Sequence, residues 1–286
     1  MSQAAKIRST IASTQKTCQV TSTLELVAAS KLSKTQAFME KSRPYAEKML
    51  QVIGHVAHAN SEYQHPFLQS RPVKRVGYII VSSDRGLCGA LNTALFKETL
   101  QHMQTWRNQD VEVDTCLFGN KAIGFFKRHQ LDALAHASHI GDVPALADVI
   151  GVVKVMLDAY HAGKIDHVYL ASNTHINTMV QKPRVLQLLP LMPDTLEPSA
   201  AHWDYLYEPD AQLVLDTLLE RYIECEVYQG IIENIACEQA ARMIAMKSAT
   251  ENAQEIIKGL RLAYNKVRQA SITQELSEIV AGAEAV

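Results

Sequence analysis

The stretch after Pro209 constrains this chain more than any other. No further proline follows it, and only Gly230, Gly259 and Gly282 interrupt residues that favour helix. Apolar positions recur at three and four: Ile223, Val227, Ile231, Ile235, then Met243, Met246, Ala249, Ala253, Ile256, Leu260, Tyr264 and Val267. One helix over this stretch would reach roughly 115 Å at about 1.5 Å per residue. The mean globular helix has only ~11–12 residues. A globular domain cannot bury such a rod alone, so the rod needs a long partner.

The other end of the chain supplies one. From Ser2 to Arg43 there is no glycine and no proline. Ile7, Ile11, Thr14, Cys18, Thr21, Leu24, Glu25, Val27, Ala28 and Leu32 follow the same spacing, with polar lapses. Residues 1–50 carry eight Lys or Arg against three carboxylates, and residues 210–286 carry seven against twelve. Opposite net charges on two amphipathic helices suit an intramolecular coiled coil. Pro44 should kink or interrupt the first helix, which then resumes to about Asn60. A turn-rich link, 61–72, follows.

A different texture begins at Val73. Val76–Val81 is a short β-branched run that reads as a buried strand. A helix is expected from Ala90 to about Trp106, a strand from Val111 to Phe118, and a helix from Lys121 to Arg128. Asp142 to His161 reads as a further helix, capped by Asp142 with Pro144 in its first turn. His167–Ser172 reads as a strand. Asn177–Val180 and Val185–Leu189 read as one or two more around Lys182-Pro183. Strands alternating with helices predict a small Rossmann-like α/β domain with a largely parallel sheet. Pro190, Pro193 and Pro198 mark the way back to the long helix. The expected division is a first coiled-coil helix over 1–60, an inserted α/β domain over 73–200, and a second coiled-coil helix over 205–286.

Composition narrows the function classes. The net charge of −2 over 286 residues gives no general affinity for nucleic acid or a membrane surface. No window of 18 apolar residues could span a bilayer, and the N-terminus has no secretory pattern. Five widely spaced cysteines (Cys18, Cys88, Cys116, Cys225 and Cys237) fit reduced thiols better than a disulfide framework.

The strand–turn–helix around Ser82–Gly89 invites a phosphate-cradle reading. Its glycines are only Gly86 and Gly89, and no G-x-x-x-x-G-K-[ST] or G-x-G-x-x-G accompanies them. A tight turn, with Asp84 and Arg85 pairing at the surface, accounts for the pattern. His55 with His58, and His136 with His139, lack the Glu and spacing of a zinc motif. No catalytic, cofactor or metal residues are assigned. Lys258, Arg261, Lys266 and Arg268 form a basic cluster late in an otherwise acidic helix. It reads equally as a solvated face, as support for the helix C-terminus, or as a positive band facing acidic loops of a partner.

The run Glu238–Ala253 (EQAARMIAMKSATENA) and the run Ala263–Leu276 (AYNKVRQASITQEL) resemble the gamma subunit of F-type ATP synthases, of bacterial type. Val27–Leu32, Ser83–Gly89 and Tyr205–Pro209 do so as well, so the resemblance covers essentially the whole chain. It implies a non-catalytic central stalk, whose terminal helices form a long antiparallel coiled coil that turns inside a ring of alpha and beta subunits. It also implies an α/β foot that binds epsilon and the c-subunit ring. By that resemblance Arg268, Gln269 and Thr273 match positions contacting beta-subunit loops, and Tyr205, Tyr207 and Glu208 match foot positions near the c ring and epsilon. The implied location is peripheral, on the cytoplasmic face of the bacterial inner membrane. Gln19 and Ser22 stand where the family usually has Lys or Arg, and Leu24 and Leu26 where it commonly has Met. The paired-cysteine insertion of chloroplast relatives is absent, which implies no thiol switch. Two other readings compete: a nucleotide-binding α/β enzyme built on Ser82–Gly89, tested by nucleotide binding, and a generic coiled-coil scaffold, which predicts no coupling to catalysis.

Overall fold

The computed structural model describes residues 3–59, 65–191 and 211–284. They fall into two compact units, Met1–Ala29 with Arg242–Val286, and Ser30–Ala241. Two long helices contribute to both: α1 (Gln3–Ala59) and α5 (Ala211–Glu284).

In the first unit the two helices pair along one seam. On α1 the buried or half-buried positions are Ala4, Ile7, Ile11, Thr14, Cys18, Thr21, Glu25 and Ala28, with half-buried Ser22, Leu24 and Ala29 beside them. On α5 they run through Met246, Thr250, Ala253, Ile257, Leu260, Tyr264 and Val267. These steps of three and four keep one stripe of each helix facing its partner. The seam departs from the sequence reading at two places. Ile256 is 54 % exposed and Ile257 8 %, and Val27 is 46 % exposed beside buried Ala28. After Ala253 a step of four, not three, keeps the stripe aligned, and adjacent isoleucines hide that choice from the sequence.

The second unit is a three-layer α/β arrangement. Its strands are β1 (Arg75–Val81), β2 (Glu112–Phe118), β3 (Ala133–Ala137), β4 (His167–Asn177) and β5 (Val180–Leu189), in the order β3-β2-β1-β4-β5. The first four are parallel, and β5 returns antiparallel to β4. Central β1 is apolar on both faces because both are covered. Val76, Tyr78 and Ile80 pack with α2 (Leu91–Arg107) and α3 (Asn120–Arg128). Ile79 and Val81 pack with α4 (Leu146–His161), with Met49 and Ile53 of α1, and with Leu215–Ile235 of α5.

Four local readings are corrected. Pro44 does not interrupt α1, which is continuous through Ala59. The lost hydrogen bond is a local cost, and burial of Met49 and Ile53 beyond it holds the helix. Helix α4 starts at Leu146 with Ala145 as its N-cap, and Asp148 reaches back to the Ala145 N–H at 3.3 Å. Asp142 instead pairs with Lys31 at 2.7 Å, and the Pro144 carbonyl accepts the Tyr228 hydroxyl at 2.9 Å. Strand β3 escaped the sequence reading because its residues, Ala-Leu-Ala-His-Ala, have weak strand preference. Pairing with β2 makes it a strand. Pro183 lies within β5 rather than beside it, as an edge strand allows.

Candidate functional site

Beyond Val267 the burial of α5 stops, and residues 268–281 are all exposed. Arg268, Gln269 and Thr273 lie in this segment. On a helical wheel Gln269 and Thr273 fall opposite the seam, in one stripe with Leu262, Leu276 and Val280. Those three apolar side chains are 66 %, 57 % and 55 % exposed. Arg268 flanks the stripe beside Ile272 and Ile279, themselves 48 % and 67 % exposed. The result is an apolar stripe with polar groups set into it.

Several polar side chains on this surface bond within the helix. The Thr273 hydroxyl donates to the Gln269 carbonyl at 2.9 Å, and the Ser277 hydroxyl to the Thr273 carbonyl at 2.9 Å. Gln274 donates to Glu278 at 3.0 Å. The Gln269 amide and Arg268 guanidinium carry donors that an external partner can take.

Four exposed or half-buried α1 positions complete the picture of this unit. Gln19 and Leu26 are exposed, Leu26 by 69 %, while Ser22 and Leu24 are half-buried. Gln19 thus presents an exposed amide and Ser22 a half-buried hydroxyl.

The loop Ser82–Gly89 lies at the carboxyl end of β1, where open α/β sheets bind ligands. The side chains of Ser82, Ser83 and Asp84 are spent internally. The Ser82 hydroxyl donates to the Phe118 carbonyl at 3.0 Å and accepts the Ala122 N–H at 2.8 Å. Asp84 accepts the Asn120 N–H at 3.0 Å, and the Ser83 carbonyl accepts the Lys121 N–H at 3.1 Å. Donors at the start of α3 that could hold a phosphate are thereby capped by the chain itself. Asn92 ties the loop from the other side, donating to the Ser83 hydroxyl at 2.7 Å and to the Cys88 sulfur at 3.4 Å. Cys88 is buried with Leu91 and Cys237. Asp84 thus pairs with a helix N-terminus instead of with Arg85, which is exposed. The sequence pointed to this turn but not to its organiser, Asn92, nine residues on.

Tyr205, Tyr207 and Glu208 lie outside the described residues. Among the described residues no group of three or more His, Cys, Asp or Glu could hold a metal ion, and no helix is long and apolar enough to cross a membrane. All five cysteines are free thiols. Burial pushes the Cys116 thiol up to about 11 and the Cys237 thiol up as well, so both stay protonated at neutral pH.

Comparison with known proteins bears on both units. A family model described as ATP synthase matches residues 3–286. Three solved chains share the fold. One is in a central stalk and c-ring structure of the Tetrahymena thermophila mitochondrial ATP synthase. It is 22 % identical, covers 80 % of this chain and 99 % of its own, and has a TM-score of 0.61. A second, in a Euglena gracilis mitochondrial ATP synthase structure of OSCP, F1 and c-ring, is 18 % identical. It covers 91 % of this chain and 94 % of its own, with a TM-score of 0.56. A third, in a Euglena gracilis rotor structure, is 17 % identical and covers 87 % of this chain and 98 % of its own, with a TM-score of 0.51.

Proposed function

This chain belongs to the gamma family of F-type ATP synthases, and we propose that α5 meets the beta subunits through Arg268, Gln269 and Thr273. It is the central-stalk rotor subunit and is not itself catalytic, since catalysis takes place in alpha and beta. Its rotation couples ion flow through the c ring to ATP synthesis or hydrolysis. Such coupling requires contacts that differ between states of the catalytic ring.

The observation that carries the beta-contact reading is the free stripe on α5. Leu262, Leu276 and Val280 are exposed on the face opposite the seam, and Gln269 and Thr273 interrupt them. An apolar helix surface with no intramolecular cover needs an external sleeve, and polar groups within it add directional contacts. In the same reading the α/β domain over 73–200 is the foot. Tyr205, Tyr207 and Glu208 hand it back to the long helix and face epsilon and the polar loops of the c ring. The chain belongs to a membrane-associated complex. The cytoplasmic face of a bacterial inner membrane is the location this reading assigns.

Hydrolysis is tested in the complex reconstituted from alpha, beta and the variant chain, and ion-driven synthesis in membrane vesicles holding the whole assembly with its c ring. Alanine at Arg268, Gln269 and Thr273 together is expected to lower ATP hydrolysis severalfold without loss of the seam. Glu208→Lys is expected to lower ion-driven synthesis while hydrolysis by the soluble assembly stays near normal. Unchanged hydrolysis in the triple variant would refute the beta contacts, and equal loss of both activities in Glu208→Lys would refute the c-ring assignment.

A further inference from the structure

Helix α5 lies on β4 through a contact that is not purely apolar. Asn173 and Asn234 are each 1 % exposed, and the Asn173 amide donates to Asn234 Oδ1 at 2.8 Å. The Cys237 thiol donates to the Asn173 carbonyl at 3.4 Å. One residue before Asn234, Glu233 Oε1 accepts the His175 N–H at 2.9 Å. One turn earlier again, Gly230 rests on Leu170 so closely that an added Cβ would come within 2.8 Å of its side chain.

Apolar burial resists separation of helix and sheet but has no preferred direction, so it opposes turning and sliding weakly. Hydrogen bonds depend steeply on distance and angle. A slip of one residue would turn α5 by about 100°. It would leave two buried amides unpaired, which is strongly disfavoured, and would press a side chain into Leu170.

We propose that Gly230, Glu233, Asn234 and Asn173 form a torque joint, locking α5 to the sheet in rotation and axial register. Turning of the α/β domain then turns the helix that carries Arg268, Gln269 and Thr273. The proposal rests on the rotor reading and makes these positioning residues, since none touches a catalytic site.

The experiment uses membrane vesicles holding the assembled complex, with ATP hydrolysis and ATP-driven membrane potential measured together. Asn173→Leu with Asn234→Leu replaces the amide pair by an apolar pair of similar shape and leaves no unpaired group. This double variant is expected to assemble and to hydrolyse ATP near the normal rate, with the potential generated per ATP reduced severalfold. Glu233→Ala, at a half-buried site, is expected to show a smaller loss that Glu233→Gln restores, because the amide oxygen accepts the same bond. A normal ratio of pumping to hydrolysis in both the double variant and Glu233→Ala overturns the joint. If complex containing the unaltered chain hydrolyses ATP without generating a potential, the rotor reading fails instead.

Discussion

Thr21 on α1 and Thr250 on α5 bring their hydroxyls to 2.7 Å across the seam of the helix pair. Each also reaches a backbone carbonyl of its own helix, Thr21 to Cys18 at 3.0 Å and Thr250 to Met246 at 2.9 Å. A hydroxyl has one proton, so only one of the two can keep its backbone bond while the pair is bonded. The contact is a shared, directional link across the seam. Thr21→Val or Thr250→Val should each destabilise the chain by about 1 kcal/mol, and the double variant by clearly less than the sum. Chemical unfolding of the four chains measures the coupling, and strict additivity would show that the hydroxyls do not interact.

Gly119 ends β2 with φ +89, and a Cβ there would lie 2.4 Å from the Ser82 carbonyl oxygen. Gly119→Ala is therefore expected to cost about 3 kcal/mol or more, since both the backbone conformation and the space exclude it. Gly89, at φ +59 with nothing within 4 Å, has only the conformational cost. Gly89→Ala should cost about 1–2 kcal/mol. Thermal unfolding of the two variants should separate them widely.

His65 sets a pH dependence. Its Nδ1 accepts the Phe67 N–H at 3.0 Å, its Nε2 lies 3.4 Å from Asp216, and its side chain is 4 % exposed. Burial lowers its pKa from 6.5 to about 4, against the attraction of Asp216 and with repulsion from His161. As pH falls, the unfolded chain takes up this proton first. The stabilisation is thus complete above about pH 6.5 and lost between there and about pH 4, on the order of 3 kcal/mol in all. His65→Asn, which can still accept the Phe67 N–H, should flatten the stability profile across that window. An unchanged slope would mean that other groups carry it.

Truncation separates the two parts of the α5 tip. Residues 277–281 are exposed and make no seam contact, whereas Val267 is half-buried at the end of the seam. Removing 277–286 should leave an assembled complex with substantial ATPase activity. Removing everything from Val267 should weaken assembly or turnover much more, because Arg268, Gln269 and Thr273 go with it. Subunit recovery and ATPase activity after reconstitution with alpha and beta measure both. Loss of assembly on removing only the last ten residues would make the tip a specific binding site.

Much of this architecture is legible in the sequence where a signal is local and repeated. The seam from Ala4 to Ala28 and from Met246 to Val267 recurs every three or four residues over many turns, so one ambiguous position such as Ile256 against Ile257 does not obscure it. Strand β1 is legible because a central strand covered on both faces needs an unbroken apolar run, and Val76–Val81 has one but for Gly77. Arg268, Gln269 and Thr273 were picked out by resemblance, and the structure adds that all three are exposed, Gln269 and Thr273 on the face opposite the seam and Arg268 beside it.

What the sequence by itself determined is therefore the paired long helices, the alternating α/β insert and the family. Tertiary structure alone decided the rest. Ala133–Ala137 is a strand only because β2 offers it a partner, and α1 passes through Pro44 because Met49 and Ile53 are buried beyond it. Asp84 caps α3 from 36 residues away, and Asn173 finds Asn234 across 61 residues. Periodicity records which face of an element is buried, but not which polar group will stand opposite it. That depends on how distant segments pack, where an unpaired buried amide or carboxylate is disfavoured enough to select one register.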